Sequence, residues 1–286
     1  MLDKLRFKVV KLQKIIIICL IIITLFLTTN LIVERLKRQL YGVASEVIYE
    51  NQDMSYLFRA EVYEIVYKEA QKRRVWSKEA KIDSDSGQVT SEKEGQILDI
   101  ESTVEEIMLA DEGKEINSII YEIKPYMTKE ILEKVTNVIG SYRTSIGGSS
   151  NRVKNIRVAA KSINNTLVLP GETFSFNQVV GPRTEERGYK GAPVIMNGVI
   201  VTGIGGGVCQ VSSTLYNAVQ KADLEVVERY PHSKRVRYVP PGQDAAVAWN
   251  SLDFKFNNQY SLPVIIKGSV YGRQILIKIL GAKEQE

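Results

Sequence analysis

Histidine occurs once in this 286-residue chain, as His232, and cysteine only twice, as Cys19 and Cys209. Cys19 lies inside an uninterrupted apolar run, so a single histidine and a single thiol remain beyond it. That pair cannot supply the nitrogen and sulfur ligands of an ordinary zinc site, and Asp244 and Asp253 fall in no calcium-loop pattern. No metal and no cofactor are expected. One cysteine beyond residue 33 also forbids an intramolecular disulfide there; such a thiol is buried, paired between chains, or reactive.

Other absences narrow the function further. After Gly203 and Gly205 the third glycine of a dinucleotide fingerprint would fall at Val208, and no Lys-Ser/Thr pair follows Gly207 as a nucleotide loop requires. No basic stripe is interleaved with aromatics. The net charge of +5 is concentrated at the N-terminus: residues 1–33 hold five of 38 basic and one of 33 acidic residues, leaving 33 against 32. Neither nucleotide nor nucleic acid is an expected partner. There is no internal repeat and no low-complexity segment.

What the chain does have begins with Ile15 to Val33, 19 residues without a charge, long enough to span a bilayer as a helix. Lys4, Arg6, Lys8, Lys11 and Lys14 precede it against one Asp3, which puts residues 1–14 in the cytoplasm and residues 34 onward outside. No small-x-small cleavage site follows the run, so it reads as an uncleaved signal anchor.

The stretch Gly203-Ile204-Gly205-Gly206-Gly207-Val208-Cys209-Gln210-Val211-Ser212-Ser213 carries the functional signal. Val211, Leu215, Ala218 and Ala222 recur at helical spacing after a β-branched strand pattern, which places Cys209 at a helix start. Free N–H groups and the positive end of the helix dipole there favour an anion, lowering a thiol pKa and offering donors to an oxyanion. The competing reading of Cys209 is a small buried hydrophobe.

Along the chain, Leu57 to Arg74 reads as an amphipathic helix in a juxtamembrane segment, 34–76. Residues 77–96 read as a turn-rich hairpin or loop, Leu98 to Leu109 as helix and Ile116 to Ile123 as strand. Thr128 caps a further helix. A small α+β region is thus expected over 77–147, with the domain junction at Gly147-Gly148-Ser149-Ser150. Beyond it, Arg152 to Ile163 reads as helix. Strands are expected at Leu224–Tyr230, Val236–Val239, Ala245–Trp249, Leu252–Phe256, Val264–Tyr271 and Ile275–Leu280, the last two as a hairpin. The fold class is α+β: a mainly antiparallel sheet with packed helices.

Several ordered motifs together resemble the VanW domain over roughly residues 151–280. They include Pro170-Gly171-Glu172-Thr173-Phe174-Ser175-Phe176-Asn177, Gly181-Pro182-Arg183-Thr184, Gly205-Gly206-Gly207-Val208-Cys209-Gln210-Val211-Ser212, Leu215-Tyr216-Asn217-Ala218, His232-Ser233 and Gly242-Gln243-Asp244-Ala245. Such proteins are exported and cell-wall associated, and the family name comes from glycopeptide-resistance gene clusters. Some members are assigned L,D-transpeptidase activity with the motif cysteine as nucleophile. The resemblance therefore implies peptidoglycan stem peptides as partner. Residues 77–135 resemble one copy of an upstream region of the family thought to bind peptidoglycan.

That chemistry needs an activated thiol, a base and oxyanion donors. Cys209 takes the nucleophile role and His232 the base role, while Asp244 leads Asp253 as orienter of the imidazole. The backbone N–H groups of Cys209 and Gln210 are the expected oxyanion donors, in a loop that Gly206 and Gly207 open to substrate. Arg183 and Arg229 are either carboxylate holders or ion-paired surface arginines. Gln210, Ser212 and Ser213 are substrate contacts or simply first-turn helix residues. His232 could equally be an exposed loop histidine, and Asp244 a turn residue.

Overall fold

A computed structural model describes residues 2–196 and 198–282; of residues 2–15 and 196 only the backbone is described. The chain falls into two units, Met1–Ser77 with Glu94–Lys124, and Lys78–Lys93 with Pro125–Glu286.

The first unit begins with the helix Leu2–Tyr41, of which Ile16–Tyr41 is long and apolar enough to cross a membrane. Its apolar side chains are exposed along this length. Helices Arg59–Arg73 and Ile100–Met108 pack together through Val62, Val66, Val104 and Ile107, all fully buried. Asp99 starts the second of these by accepting a hydrogen bond from Ser102 N at 3.0 Å. The expected strand Ile116–Ile123 is split. Glu115–Ile116 pairs in parallel with Ile48–Tyr49, and Ile120–Ile123 pairs antiparallel with Gly95–Leu98.

In the second unit a four-stranded antiparallel sheet runs in the order Asn137–Ser145, Gln274–Gly281, Val264–Tyr271, Thr166–Val168. The period-two apolar pattern decides its facing: Ile275, Ile277 and Ile279 are fully buried while the residues between them are not. Helices Ser150–Ile163 and Val208–Lys221 pack on this sheet and on each other. Ser149 caps the former and Thr128 caps Lys129–Lys134. A second antiparallel sheet joins Thr173–Ser175, Lys255–Asn257 and Glu225–Glu228, and Gly191–Met196 pairs with Val199–Ile204 as a separate hairpin. The class is α+β, and the expected terminal hairpin forms between Val264–Tyr271 and Gln274–Gly281. Lys81–Ile82 and Val89–Thr90 pair within the segment read as a short hairpin.

Two expected strands are absent among the described residues. Val236–Val239 and Ala245–Trp249 are irregular chain. Their apolar residues are anchors rather than one face of a ladder: Ala245 and Val247 are buried against helix Val208–Lys221. The Ala245 N–H donates to the Ser213 hydroxyl instead of to a strand.

Candidate functional site

Helix Val208–Lys221 is where the site is built. Gly207 occupies its N-cap at φ 112°, a left-handed conformation that only glycine adopts without strain. Gly206 has no room for a side chain: a Cβ there would lie 2.6 Å from the carbonyl oxygens of Ala192 and Pro193. The chain thus turns sharply out of the hairpin and into the helix, leaving Cys209 partly exposed in its first turn.

The next turns hold the loop that faces the cysteine. Cys209, Ser213 and Asn217 recur every four residues and share one side of the helix. Ser213 Oγ donates to the Cys209 carbonyl at 2.7 Å and accepts from Ala245 N at 2.9 Å. Ser212 Oγ donates to the Ala245 carbonyl at 2.6 Å, and Asn217 Nδ2 to the Gln243 carbonyl at 2.7 Å. Three side chains of one helix therefore clasp the backbone on both sides of Asp244.

Asp244 turns its carboxylate to the histidine. Its Oδ2 accepts from His232 N at 2.7 Å and lies 2.6 Å from His232 Nδ1. Arg229 closes the loop from outside, donating to the Asp244 and Gly242 carbonyls at 2.6 and 2.7 Å. With Nδ1 facing the carboxylate, the imidazole offers Nε2 to its remaining neighbours, and His232 lines the same cavity as Cys209. The side chains of His232 and Asp244 are only 7% and 10% exposed.

The electrostatics follow from this packing. Burial disfavours the thiolate, but the interaction with the His232 imidazole, with smaller help from a backbone hydrogen bond at Val247 and the charge of Arg183, outweighs it and lowers the Cys209 pKa. Burial also disfavours the imidazolium, yet Cys209 and Asp244 together raise the His232 pKa. Asp244, although partly desolvated, is held below its ordinary value by the hydrogen bonds from His232. Thiol and imidazole are displaced toward each other, the condition for a thiolate–imidazolium pair.

The comparisons with known proteins agree with this part of the chain. Residues 151–280 match the family model described as VanW like protein. Over residues 151–280 the chain is thus similar to VanW-like proteins. The chain is similar to "Uncharacterized protein YoaR" of Bacillus subtilis (strain 168), 49% identical over 159 residues, covering 55% of this chain and 52% of that protein. It is also similar to "Vancomycin B-type resistance protein VanW" of Enterococcus faecalis (strain ATCC 700802 / V583), 29% identical over 141 residues, covering 48% of this chain and 51% of that one. The chain spans about half the length of the curated relatives it matches. No solved structure matches.

Other residues singled out in the sequence of the VanW-like domain take definite places. Gln210 is buried with its side chain fully occupied: Nε2 donates to Thr144 Oγ1 and the Ser145 carbonyl, each at 2.9 Å, and Oε1 accepts from Arg152 at 2.8 Å. Its backbone N–H already donates to the Gly207 carbonyl at 3.0 Å. Ser212 is fully buried as a loop anchor. Asp253 is not near His232 in its bonding; it accepts from Ser175 Oγ at 2.6 Å and Asn177 N at 2.9 Å, fixing the start of helix Phe176–Val180. Arg229 is ion-paired and spent on the loop, with its guanidinium over the Tyr216 ring.

A cavity of about 490 Å³ opens over Cys209 and His232 in the VanW-like domain, walled by Val194, Ile195, Ile204 and Trp249 among others. Its size falls in the range of small-ligand pockets, roughly 300–1,000 Å³. Arg183 and Tyr238 also line it. Tyr238, which sequence reasoning missed, puts its hydroxyl 3.5 Å from His232 Nε2 and its ring edge-on to the imidazole at 6.4 Å. Burial, then the charge at Cys209, push its phenol well above the usual range, so it stays a neutral donor. The structural roles of Ser213 and Asn217 were visible only as i, i+4, i+8 spacing from Cys209.

Proposed function

We propose that this protein is a membrane-anchored cysteine L,D-transpeptidase of the cell wall, acting on peptidoglycan stem peptides through a thioester. The observation that carries the reading is the Cys209–His232–Asp244 arrangement, with Cys209 and His232 lining a cavity and Nδ1 of the histidine committed to Asp244. The apolar helix supports membrane anchoring, with residues 1–14 in the cytoplasm and the VanW-like domain outside. A relative named for vancomycin resistance fits a role at the wall.

The steps balance on this chain's own groups. The Cys209 thiolate attacks the peptide carbonyl carbon, forming the C–S bond as the carbonyl electron pair moves to oxygen. Collapse of that oxyanion breaks the C–N bond, and the leaving amine takes a proton from Nε2 of the His232 imidazolium. An acceptor amine then attacks the thioester, gives its proton back to His232, and expels the thiolate. Asp244 holds the ring and stabilises its charge throughout. The Cys209 backbone N–H, at the helix N-terminus, is the nearest oxyanion donor in this scheme.

The test is turnover by the full chain in detergent micelles. Purified muropeptide tetrapeptides are incubated with the wild type and with Cys209→Ala and followed by mass spectrometry. Cross-linked dimers formed only by the wild type support the reading. Muropeptide bound equally by both proteins, with no product from either, replaces it with a stem-peptide-binding accessory role.

A further inference from the structure

Arg183 is a cation in an unusual condition. Its Nη2 donates to Asn177 Oδ1 at 2.7 Å, a neutral amide oxygen, while Nη1 is shut off from solvent and has no hydrogen-bond partner among the described residues. The guanidinium lies between two aromatic rings, 5.7 Å from the centroid of Phe176 and 6.0 Å from that of Trp249. Burial pushes its pKa down, which states the same cost in another way: hydration has been removed without a full counter-charge. Of the negative groups nearby, Asp253 is already engaged by Ser175, Asn177 and Phe254, and Cys209 is the thiol of the site itself.

The cavity beside it repeats the imbalance. Arg152, Arg183 and His232 line it, and among the described residues no aspartate or glutamate does. Among the described residues Arg152 has no carboxylate partner, its Nη2 donating instead to the neutral Gln210 amide oxygen at 2.8 Å. A buried guanidinium held rigidly by stacking and one amide, facing a cavity with no carboxylate of its own, is matched by an anion that arrives with the ligand. The bond network also fixes its distance from the reacting sulfur: Asp253 holds Asn177, Asn177 holds Arg183, and the Asn177 amide bonds the carbonyls of Ala248 and Leu252 at 3.2 and 2.9 Å. Val247, next to Ala248, accepts from Cys209 Sγ at 3.4 Å.

We propose that Arg183 is the specificity-determining residue that binds a free carboxylate on the leaving side of the donor peptide. The inference rests on the cysteine acyl-transfer reading above and adds to it the residue that recognises the free end of the donor. A donor extended by another residue, or capped as an amide, brings no charge to Arg183 and leaves it desolvated and unpaired.

The experiment separates this inference from the reading it rests on. Binding of Nα-acetyl-L-Lys-D-Ala and of its C-terminal carboxamide is measured by calorimetry on full-chain Cys209→Ala in micelles, where no turnover occurs. The acid is expected to bind at least about tenfold more tightly than the amide. Arg183→Gln brings the acid down to the level of the amide; Arg183→Lys, which keeps charge but not the planar fork, recovers part of the difference and guards against a misfolded glutamine variant. Equal binding of acid and amide, or no binding of the acid at millimolar concentration, overturns the proposal. Wild-type turnover of both peptides at equal rates would leave the acyl-transfer reading standing and remove this one. Discrimination without any turnover would do the reverse.

Discussion

Nδ1 of His232 lies 2.6 Å from Oδ2 of Asp244, and the same oxygen accepts the His232 backbone N–H at 2.7 Å. One carboxylate oxygen therefore fixes both the ring and the chain that carries it. Neither residue belongs to a helix or strand, so the precision of the pair depends on how the loop is tied to helix Val208–Lys221.

Removing the carboxylate charge should uncouple the pair. In Asp244→Asn the imidazole loses its preferred tautomer and the stabilisation of its charge, and turnover is expected to fall by about 10²- to 10⁴-fold. The steady-state rate with muropeptide donors checks this, beside far-ultraviolet spectra that report an unchanged fold.

The pH dependence of thiol reactivity has a definite sign. Cys209 is shifted down and His232 up, so the thiolate persists to lower pH, and the imidazolium to higher pH, than either free side chain. Alkylation of Cys209 by iodoacetamide should therefore rise with an inflection below the ordinary thiol value of about 8.5. His232→Ala removes the chief group opposing the effect of burial and moves that inflection upward.

Ser213 ties the helix to the loop through bonds to Cys209 and Ala245. Ser213→Ala leaves the Ala245 N–H without its partner in a buried place and should cost about 1–3 kcal/mol of stability. Chemical unfolding of the full chain in micelles measures it, and a loss well below that range would mean that the loop is held elsewhere.

Gly206→Ala and Gly147→Ala make a controlled pair. The first puts a methyl group 2.6 Å from two backbone carbonyl oxygens and must displace the hairpin strand Gly191–Met196; the second meets nothing within 4 Å. Loss of Cys209 reactivity is expected in the first and none in the second, read by the same alkylation assay.

Tyr238→Phe keeps the ring against the imidazole and removes only the hydroxyl. A weak neutral hydrogen bond is worth about 1 kcal/mol, so turnover should fall by about fivefold. Turnover abolished by this change would give the hydroxyl a direct part in the chemistry.

The elements legible in the sequence were those with a period. Alternation over Ile275–Leu280 marked the sheet strand, and Thr128 marked a helix start through its side-chain oxygen. Cys209 was legible because glycines precede an apolar helical pattern, and His232 because no other side chain titrates near neutrality. Residues 236–249 were harder, because much of their backbone bonding goes to the side chains of Ser212, Ser213, Asn217 and Arg229 rather than to a ladder with a neighbouring strand. A stretch tied down by side chains has no period, and its apolar residues then imitate a strand. Gly147-Gly148-Ser149-Ser150 read as a boundary from composition, and in the structure it lies between strand Asn137–Ser145 and the body of helix Ser150–Ile163. Tyr238 and the pairing of Arg183 with Asn177 left no mark in the sequence, since each depends on where irregular chain returns to the cavity.

The most direct measurement is the intact mass of the full chain after brief exposure to a muropeptide tetrapeptide, quenched in acid to preserve a thioester. The account predicts an added mass equal to that of the donor less the released free D-amino acid, placed on Cys209 by peptide mapping and absent from Cys209→Ala. An unmodified protein, in a sample whose Cys209 is still fully alkylated by iodoacetamide and whose donor is demonstrably bound, would contradict it.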